Sequence, residues 1–172
     1  MSEALQAIQR RRSVRKFTGA PVPREKIVAA LEAAMAAPSA RNLRPWSFLV
    51  ATERPEIAAL CQAHPYAGFG VDAGAVILPF GSKGSHKWFD QDMAAATENL
   101  LIAVADLGLG ATWCGMDDER QAAIRALVGL PEDQFVFAMI PVGVPAEVPA
   151  PRTQFEASRV HWERFGNVGS RG

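Results

Sequence analysis

The stretch "ENLLIAVADLGLGATWCG" (residues 98–115) determines the architecture that we expect for this chain. Its first half, "LLIAVADL", is apolar on nearly every side of a helix, whereas a surface helix carries a single apolar stripe. The sequence therefore predicts that a long helix, over about residues 86–107, is central and buried. Glycines follow this helix, and "ATWC" then predicts a short strand.

Further strands and helices flank this centre. "WSFLVA" (residues 46–51) predicts a buried strand, "AGAVILPF" (73–80) predicts a second strand, and "QFVFAMIPVGVP" (134–145) predicts a third full strand. The segment "PAEVPAPRTQF" is too rich in proline for a regular element. We interpret 1–172 as a single domain and about 145–172 as an extended C-terminal arm that embraces a partner subunit. The other predicted helices cover about residues 2–9, 23–37, 55–63, 117–127 and 156–164.

The composition excludes several classes of function. The chain has 18 basic and 18 acidic side chains and a formal net charge of +0, so no global attraction to nucleic acid or to a membrane surface is expected. The most apolar window, residues 100–116, is interrupted by Asp106 and by glycines, and we expect no membrane span. Cys61 and Cys114 form no spaced motif, which favours a cytoplasmic protein with reduced thiols.

The segment "QRRRSVRKF" (residues 9–17) concentrates five cations in nine positions of this balanced chain. If the backbone is extended there, Arg11, Ser13 and Arg15 project to the same side. Two guanidinium groups around a hydroxyl suit a phosphate, whose oxygens accept paired hydrogen bonds from arginine. A solvated basic arm explains the same pattern, and the spacing alone leaves both interpretations open.

Two further stretches are weaker signals. "APSARNLRPW" (residues 37–46) predicts a tight polar loop. "GLGATWCG" (108–115) resembles a dinucleotide fingerprint, but Trp113 replaces the third glycine and a helix precedes the motif where a strand should. Its glycines instead indicate close approach to a flat ligand or to another backbone. No pattern supplies a catalytic acid, base, nucleophile or metal site, so an enzyme with this sequence needs a cofactor for its chemistry.

Taken in order, these motifs resemble the nitroreductase family of FMN-dependent flavoproteins. The resemblance rests on "RRSVRKF", "PSARNLRPWSF", "ENLLIAVADLGLGATWCG", "PVGVPAE" and "SRVHWE", which together extend over nearly the whole chain. It implies an α+β fold with a central mixed, mainly antiparallel sheet flanked by helices. It also implies an intertwined homodimer with FMN at the interface. Two positions depart from the common family pattern, namely Arg44 in place of glutamine and Gln154 in place of a basic residue.

The resemblance also implies roles for individual residues in binding FMN. Arg11 and Ser13 hold the phosphate, Arg12 contributes along the ribityl chain, and Arg15 lies near the flavin pyrimidine. The loop after the second helix reaches the flavin bound mainly by the other subunit, and backbone amides just before the predicted helix over 117–127 approach flavin N5 and O4. The full set of implied cofactor-binding residues is Arg11, Arg12, Ser13, Arg15, Pro38, Ser39, Ala40, Asn42, Trp113, Cys114, Gly115 and Arg152.

The implied activity is oxidoreduction with no catalytic side chain. NADH or NADPH delivers hydride to flavin N5 and leaves, and a nitroaromatic, a quinone or a similar small-molecule acceptor then takes the electrons in a ping-pong cycle. Two alternatives remain at this point. One is a flavoprotein of the same fold with another reaction, such as reductive dehalogenation or flavin breakdown, and the other is a non-catalytic flavin-binding module.

Overall fold

The predicted central helix forms the middle of the protein. The computed structural model describes residues 2–151 and 153–168. The long helix, α4, extends over Phe89–Asp106 and buries eight of its residues. It begins three residues later than predicted, because residues 86–88 form a turn in which the His86 ring Nδ1 accepts the backbone N–H of Trp88 at 3.2 Å. In the described part of the chain, no helix has the length and apolarity to cross a bilayer.

Four of the other five predicted helices form close to the expected positions. Ser2 caps the first helix, because its hydroxyl accepts the backbone N–H of Leu5 at 3.4 Å. The prediction of a helix over residues 156–164 is wrong, and a single 3-10 turn, Ala157–Arg159, occupies that segment. Residues 153–159 are all exposed, and a short helix without a packed face is unstable in water. The remaining helices are α1 (Glu3–Arg10), α2 (Arg24–Met35), α3 (Arg54–Ala63) and α5 (Asp118–Val128).

A six-stranded sheet lies beneath α4. Strands β1, β2, β6 and β3 are neighbours in that order, while β4 pairs with β6 and β5 pairs with β2. Within the described residues, every pair of these strands is antiparallel, and an isolated bridge between Ser13 and Ala111 is parallel. The prediction of a mixed, mainly antiparallel sheet is therefore confirmed. The strands are β1 (Ser47–Ala51), β2 (Ala75–Gly81), β3 (Gly110–Ala111), β4 (Cys114–Gly115), β5 (Phe135–Val136) and β6 (Ala138–Gly143).

The predicted strand over residues 134–145 is divided into β5 and β6. Ile77 pairs with Ile140, but Phe80 pairs with Val136, so one extra residue lies on the β5–β6 side. This is a β-bulge, and Pro79 of β2 lies opposite it. Proline has no N–H to donate, which explains its position beside a bulge. The carbonyl of Pro79 still accepts the backbone N–H of Phe137 at 2.8 Å.

Helices cover both faces of the sheet, and β2 shows how. Its residues alternate, so that Ala75 and Ile77 pack in one core cluster and Val76 and Leu78 pack in the other. The first cluster includes residues of α2 and α4, and the second includes residues of α3 and α5. A strand that is buried on both faces explains the continuous apolar run in its sequence.

Candidate functional site

The cationic segment lies alongside β3. The backbone N–H of Val14 donates to the carbonyl of Ala111 at 2.9 Å, and the hydroxyl of Thr112 donates to the carbonyl of Val14 at 2.6 Å. These bonds hold the segment extended, with Val14 buried and both Ser13 and Arg15 exposed. The predicted alternation of side chains is therefore confirmed for Ser13 and Arg15.

Gly110 allows this close approach of two backbones. A Cβ atom added at Gly110 would lie 2.7 Å from the Cβ of Val14, well inside van der Waals contact. The glycines of this stretch indicated close approach to a flat ligand or to another part of the chain. Gly110 has the second role, because it packs against the side chain of Val14 in the neighbouring extended segment.

The arginines of the segment are fixed on the body of the protein. The Nε of Arg11 lies 3.0 Å from a carboxylate oxygen of Glu98 on α4, and the guanidinium of Arg12 donates to the carbonyl of Ala150. Arg12 and Arg15 have no carboxylate partner in the described residues, so their charge is available to a ligand. The contacts of Arg11 and Arg12 with Glu98 and Ala150 argue against the alternative that this segment is a freely solvated basic arm. The other two cations form ion pairs, Arg10 with Asp106 at 2.7 Å and Lys16 with Glu147 at 2.9 Å.

The residues of "TWCG" lie next to Arg15. The side chain of Cys114 is buried in the core, and burial raises the pKa of its thiol from 9.0 to about 11, against the opposing influence of the Arg15 charge. Trp113 is half-buried, with its ring 5.5 Å from that of Phe137 in an edge contact. Cys114 therefore acts as a small apolar residue, as predicted.

Gly115 presents an open backbone surface. It is exposed, and no atom lies within 4 Å of the position that a Cβ would take there. Its carbonyl is held from the inside, since the Nε2 of His64 lies 2.8 Å from that oxygen. The Nδ1 of His64 accepts the backbone N–H of Tyr66 at 3.3 Å, so the proton is on Nε2, which donates to Gly115. The carbonyl of Gly115 is thus held by His64, whereas the position that a Cβ would take has no neighbouring atom.

A second group of predicted site residues lies in the loop after α2. Ala40–Asn42 form a 3-10 turn, and the hydroxyl of Ser39 accepts the backbone N–H of Arg44 at 2.9 Å. Arg41, Asn42 and Arg44 have φ angles of 54°, 56° and 47°, a region that residues other than glycine rarely adopt. Pro38 and Asn42 are exposed. Three such residues in one short loop indicate a conformation that the surrounding structure imposes.

The two groups lie at different levels of α4. The loop contacts Asp92 in the first turn of α4, and the cationic segment contacts Glu98 in its middle and Asp106 at its end. At 1.5 Å per residue, Asp92 is about 9 Å along the helix from Glu98, the partner of Arg11, and about 21 Å from Asp106, the partner of Arg10. The structure thus brings residues 11–15 to residues 111–115 and places residues 38–42 elsewhere. Arg152, the remaining predicted residue, lies outside the described residues.

Comparison with known proteins agrees with this geometry. The family model described as "Nitroreductase family" matches residues 8–67 and 62–144. The chain belongs to the nitroreductase family. A candidate NADH dehydrogenase/NAD(P)H nitroreductase of Methanothermobacter thermautotrophicus is 38% identical over 168 residues, which cover 95% of this chain and 88% of that protein.

Two solved structures of nitroreductase-family relatives are also similar. A candidate NADH dehydrogenase/NAD(P)H nitroreductase from Bacteroides thetaiotaomicron gives a TM-score of 0.91 at 32% identity, covering 96% of this chain and 99% of that one. A candidate nitroreductase from Desulfovibrio desulfuricans, solved in complex with FMN, gives a TM-score of 0.84 at 30% identity, again covering 96% and 99%. The resemblance inferred from the motifs is confirmed.

Sequence reasoning missed three residues that shape this nitroreductase-family site. Asp92 of α4 accepts a hydrogen bond from the loop after α2, and Glu98 of α4 forms an ion pair with Arg11. The buried ring of His64 binds the carbonyl of Gly115. Two acidic residues in the long helix look like ordinary helix-surface charges in the sequence. The sequence did carry one indication of this role for Asp92. It lies on a helix predicted to be central, where burying an unpaired carboxylate would cost free energy.

Proposed function

We propose that this chain is an FMN-dependent oxidoreductase that uses NADH or NADPH to reduce nitroaromatics, quinones or similar acceptors. The observation that carries the proposal is the placement of exposed Ser13, flanked by guanidinium groups, beside Ala111, from which the chain continues to the open backbone of Gly115. This pairing offers an anion-binding end and a flat, uncovered surface within one site. The family membership and the FMN complex of the D. desulfuricans relative support the same cofactor.

The cationic end fits the phosphate of FMN. A phosphate monoester carries nearly two negative charges and needs several donors when it leaves water. Arg11, Arg12 and Ser13 would supply guanidinium and hydroxyl donors from one short segment, and Arg152 would add a fourth group. Glu98 would orient the Arg11 guanidinium while leaving its other nitrogens free, because the ion pair involves Nε.

The opposite end fits the flavin ring. Gly115 has no side chain to obstruct a planar group, and Trp113, Cys114 and Gly115 would offer backbone amides to its polar edge. Arg15 would place a positive charge near the flavin pyrimidine and so favour the more negative, reduced form of the cofactor. FMN, when bound, supplies the centre that accepts hydride from the nicotinamide and passes electrons on. The protein's own contribution is to bind, orient and tune this group, so no side chain is assigned as catalytic.

We further propose that the active form is a homodimer in which the arm of residues 145–172 embraces the partner. The accessible surface is 9951 Å², whereas a monomer of 18.5 kDa is expected to expose about 8,200 Å². Val148, Phe155 and Phe165 on the described part of the arm are 82%, 79% and 94% exposed. In the described residues β1 pairs with β2 alone, so one edge of the sheet is open. A second copy would cover both surfaces and bring its residues 38–42 to this flavin.

Both cysteines are free and buried, and this supports a cytoplasmic location for the activity. A reducing compartment keeps such thiols unpaired, and nothing in the proposed chemistry requires them to react.

The first test is the spectrum of the purified protein. We expect a yellow protein that releases FMN on denaturation and oxidises NADH or NADPH when menadione or a nitroaromatic is added. Replacing Arg11 and Arg15 together by alanine should cause loss of FMN, because each charged hydrogen bond contributes about 1.5–3 kcal/mol. Arg24→Ala, an exposed arginine at the start of α2, is the control and should retain FMN.

Other results would point to the alternatives. A colourless protein that cannot be reconstituted with FMN overturns the proposal. Retention of FMN without oxidation of NADH or NADPH under any acceptor favours another reaction on the same fold, and dehalogenation of a halogenated aromatic by the chemically reduced protein would identify it. Retention of FMN with no turnover in either assay would indicate a binding module.

A further inference from the structure

A cavity lies beside the loop that we expect to reach the flavin. It has a volume of about 270 Å³ and lies between that loop and the turn that precedes α4. Since an apolar cavity of about 150 Å³ can hold benzene, this space is large enough for one substituted aromatic ring. Its lining residues are Ala40, Arg41, Leu43, His86, Lys87 and Trp88.

The cavity is positively charged. Arg41 and Lys87 contribute two permanent cations, and of the described residues, the six that line it include none with a carboxylate. Asp92 contacts two of the lining residues, since it lies 3.3 Å from the Nε2 of His86 and accepts the backbone N–H of Ala40. Because Asp92 already has two partners behind the wall, it leaves the charges of Arg41 and Lys87 available to a ligand.

The cavity also has an aromatic wall. The indole of Trp88 is half-exposed, and the ammonium group of Lys87 lies 4.8 Å from its ring centroid. Leu43, which also lines the cavity, is half-exposed. A flat ring placed against Trp88 and Leu43 would therefore have a cation close to its edge, which suits a planar ligand that carries a negative group.

The shape of the cavity is fixed before any ligand binds. Arg41 is held at a φ of 54° by bonds on both sides of it, since the N–H of Asn42 donates to the Ser39 carbonyl at 3.0 Å and that of Leu43 donates to the Ala40 carbonyl at 3.1 Å. A conformation that is unfavourable for a side-chain-bearing residue, yet held by several bonds, is typical of ligand sites.

We propose that this cavity binds the ring of aromatic electron acceptors and that Arg41 and Lys87 select those that carry a carboxylate or a similar anionic group. The inference rests on the proposed function, because it places the acceptor next to the loop that would reach the flavin of the other subunit. It narrows the acceptor class from aromatic compounds in general to anionic ones.

The test compares two acceptors that share the nitrobenzene ring, one anionic and one neutral, namely 4-nitrobenzoate and its methyl ester, with the FMN-loaded protein and NADH or NADPH. We expect a higher kcat/KM for the acid than for the ester, and a ratio that decreases as salt screens the cations. Lys87→Gln and Arg41→Gln should each lower the acid-to-ester ratio about tenfold, the usual effect of one charged hydrogen bond. Lys83→Gln is the matched control, because Lys83 lies over the ring of Phe135 outside this cavity, and it should leave the ratio unchanged.

A binding measurement makes the inference independent of turnover. The oxidised, FMN-loaded protein is titrated by calorimetry with 4-nitrobenzoate and with its methyl ester. The acid should bind more tightly than the ester, and Lys87→Gln should raise the dissociation constant of the acid about tenfold. Equal affinity for acid and ester, or an affinity unchanged in both cavity variants, would overturn the inference. Failure of the proposed function is separately visible, because a protein that lacks it does not oxidise NADH or NADPH even with the uncharged acceptor menadione.

Discussion

The carboxylate of Asp92 accepts the backbone N–H of Ala40 with both oxygens, at 3.0 and 3.1 Å. Asp92 lies in the first turn of α4 and is buried, whereas Ala40 begins the strained turn that follows α2. The start of the central helix therefore sets the position of the loop that we expect to reach the flavin. A single buried charge links the core of the protein to its candidate site.

Replacement of Asp92 should destabilise the protein and displace the loop. We expect Asp92→Ala to lower the free energy of unfolding by about 1.5–3 kcal/mol, because a hydrogen bond to a charged group is lost inside the protein. Asp92→Asn should cost less, since an amide oxygen can still accept from Ala40. Urea denaturation measures both. Asp90→Asn, an exposed aspartate on the same turn, is the control, and an equal effect of Asp90→Asn and Asp92→Asn would contradict this role.

Two glycines of one motif should respond in opposite ways to alanine. Gly110→Ala places a Cβ 2.7 Å from that of Val14 and should lower the free energy of unfolding by about 1–3 kcal/mol. Gly115→Ala meets no atom within 4 Å and should leave the melting temperature nearly unchanged, yet it should weaken FMN retention by projecting into the proposed ring surface. Thermal unfolding and the bound-flavin content separate the two effects. Normal FMN retention by Gly115→Ala would argue against the ring position.

The buried thiols should make stability depend on alkaline pH. Burial raises the pKa of Cys114 from 9.0 to about 11, and burial together with the proximity of Cys114 raises that of Cys61 to about 11 as well. The protonated thiol is thus favoured in the folded state. The resulting stabilisation is present in full below pH 9 and is lost as the pH rises through about 11, on the order of 2 kcal/mol per thiol.

Denaturation at a series of pH values measures this dependence. The slope between pH 9 and 11 should be reduced in a variant with alanine at Cys61, and a thiol reagent at pH 8 should react slowly with the folded protein and rapidly after unfolding. Fast reaction of both thiols in the folded protein would contradict their burial.

The C-terminal arm should control the oligomeric state. Light scattering is expected to give twice the chain mass of 18.5 kDa. Phe155→Glu and Val148→Glu, at highly exposed apolar positions of the arm, should shift the protein toward the monomer and reduce its FMN content, because residues 38–42 of the partner would be withdrawn. Lys83→Gln serves as a surface control. A wild-type protein that is monomeric and still binds FMN would contradict the dimer proposal.

Much of the fold was predictable because its signals are local. The continuous apolarity of "LLIAVADL" predicted a central helix, and α4 is that helix. The apolar run "AGAVILPF" predicted a strand, and β2 is that strand. The prediction that the strand over residues 46–51 is buried is wrong for most of β1, because β1 lies at the edge of the sheet and only Ala51 of its five residues is buried. The predicted helix over 156–164 failed for a tertiary reason, since residues 153–159 are exposed and a short helix without a buried face is unstable in water. The bulge at Phe137 was also hidden, because it depends on the pairing of two distant strands.

The amino-acid sequence by itself determined the five α-helices, the positions of the main strands and the alternation of Ser13 and Arg15, since period and polarity act over neighbouring residues. It also carried the motifs by which the family was recognised. Only the tertiary structure decided that Glu98 binds Arg11, that His64 holds Gly115 and that Asp92 holds Ala40. These partners are separated by many residues along the chain, so the energy of each contact depends on how the helices pack on the sheet, and no local pattern encodes it.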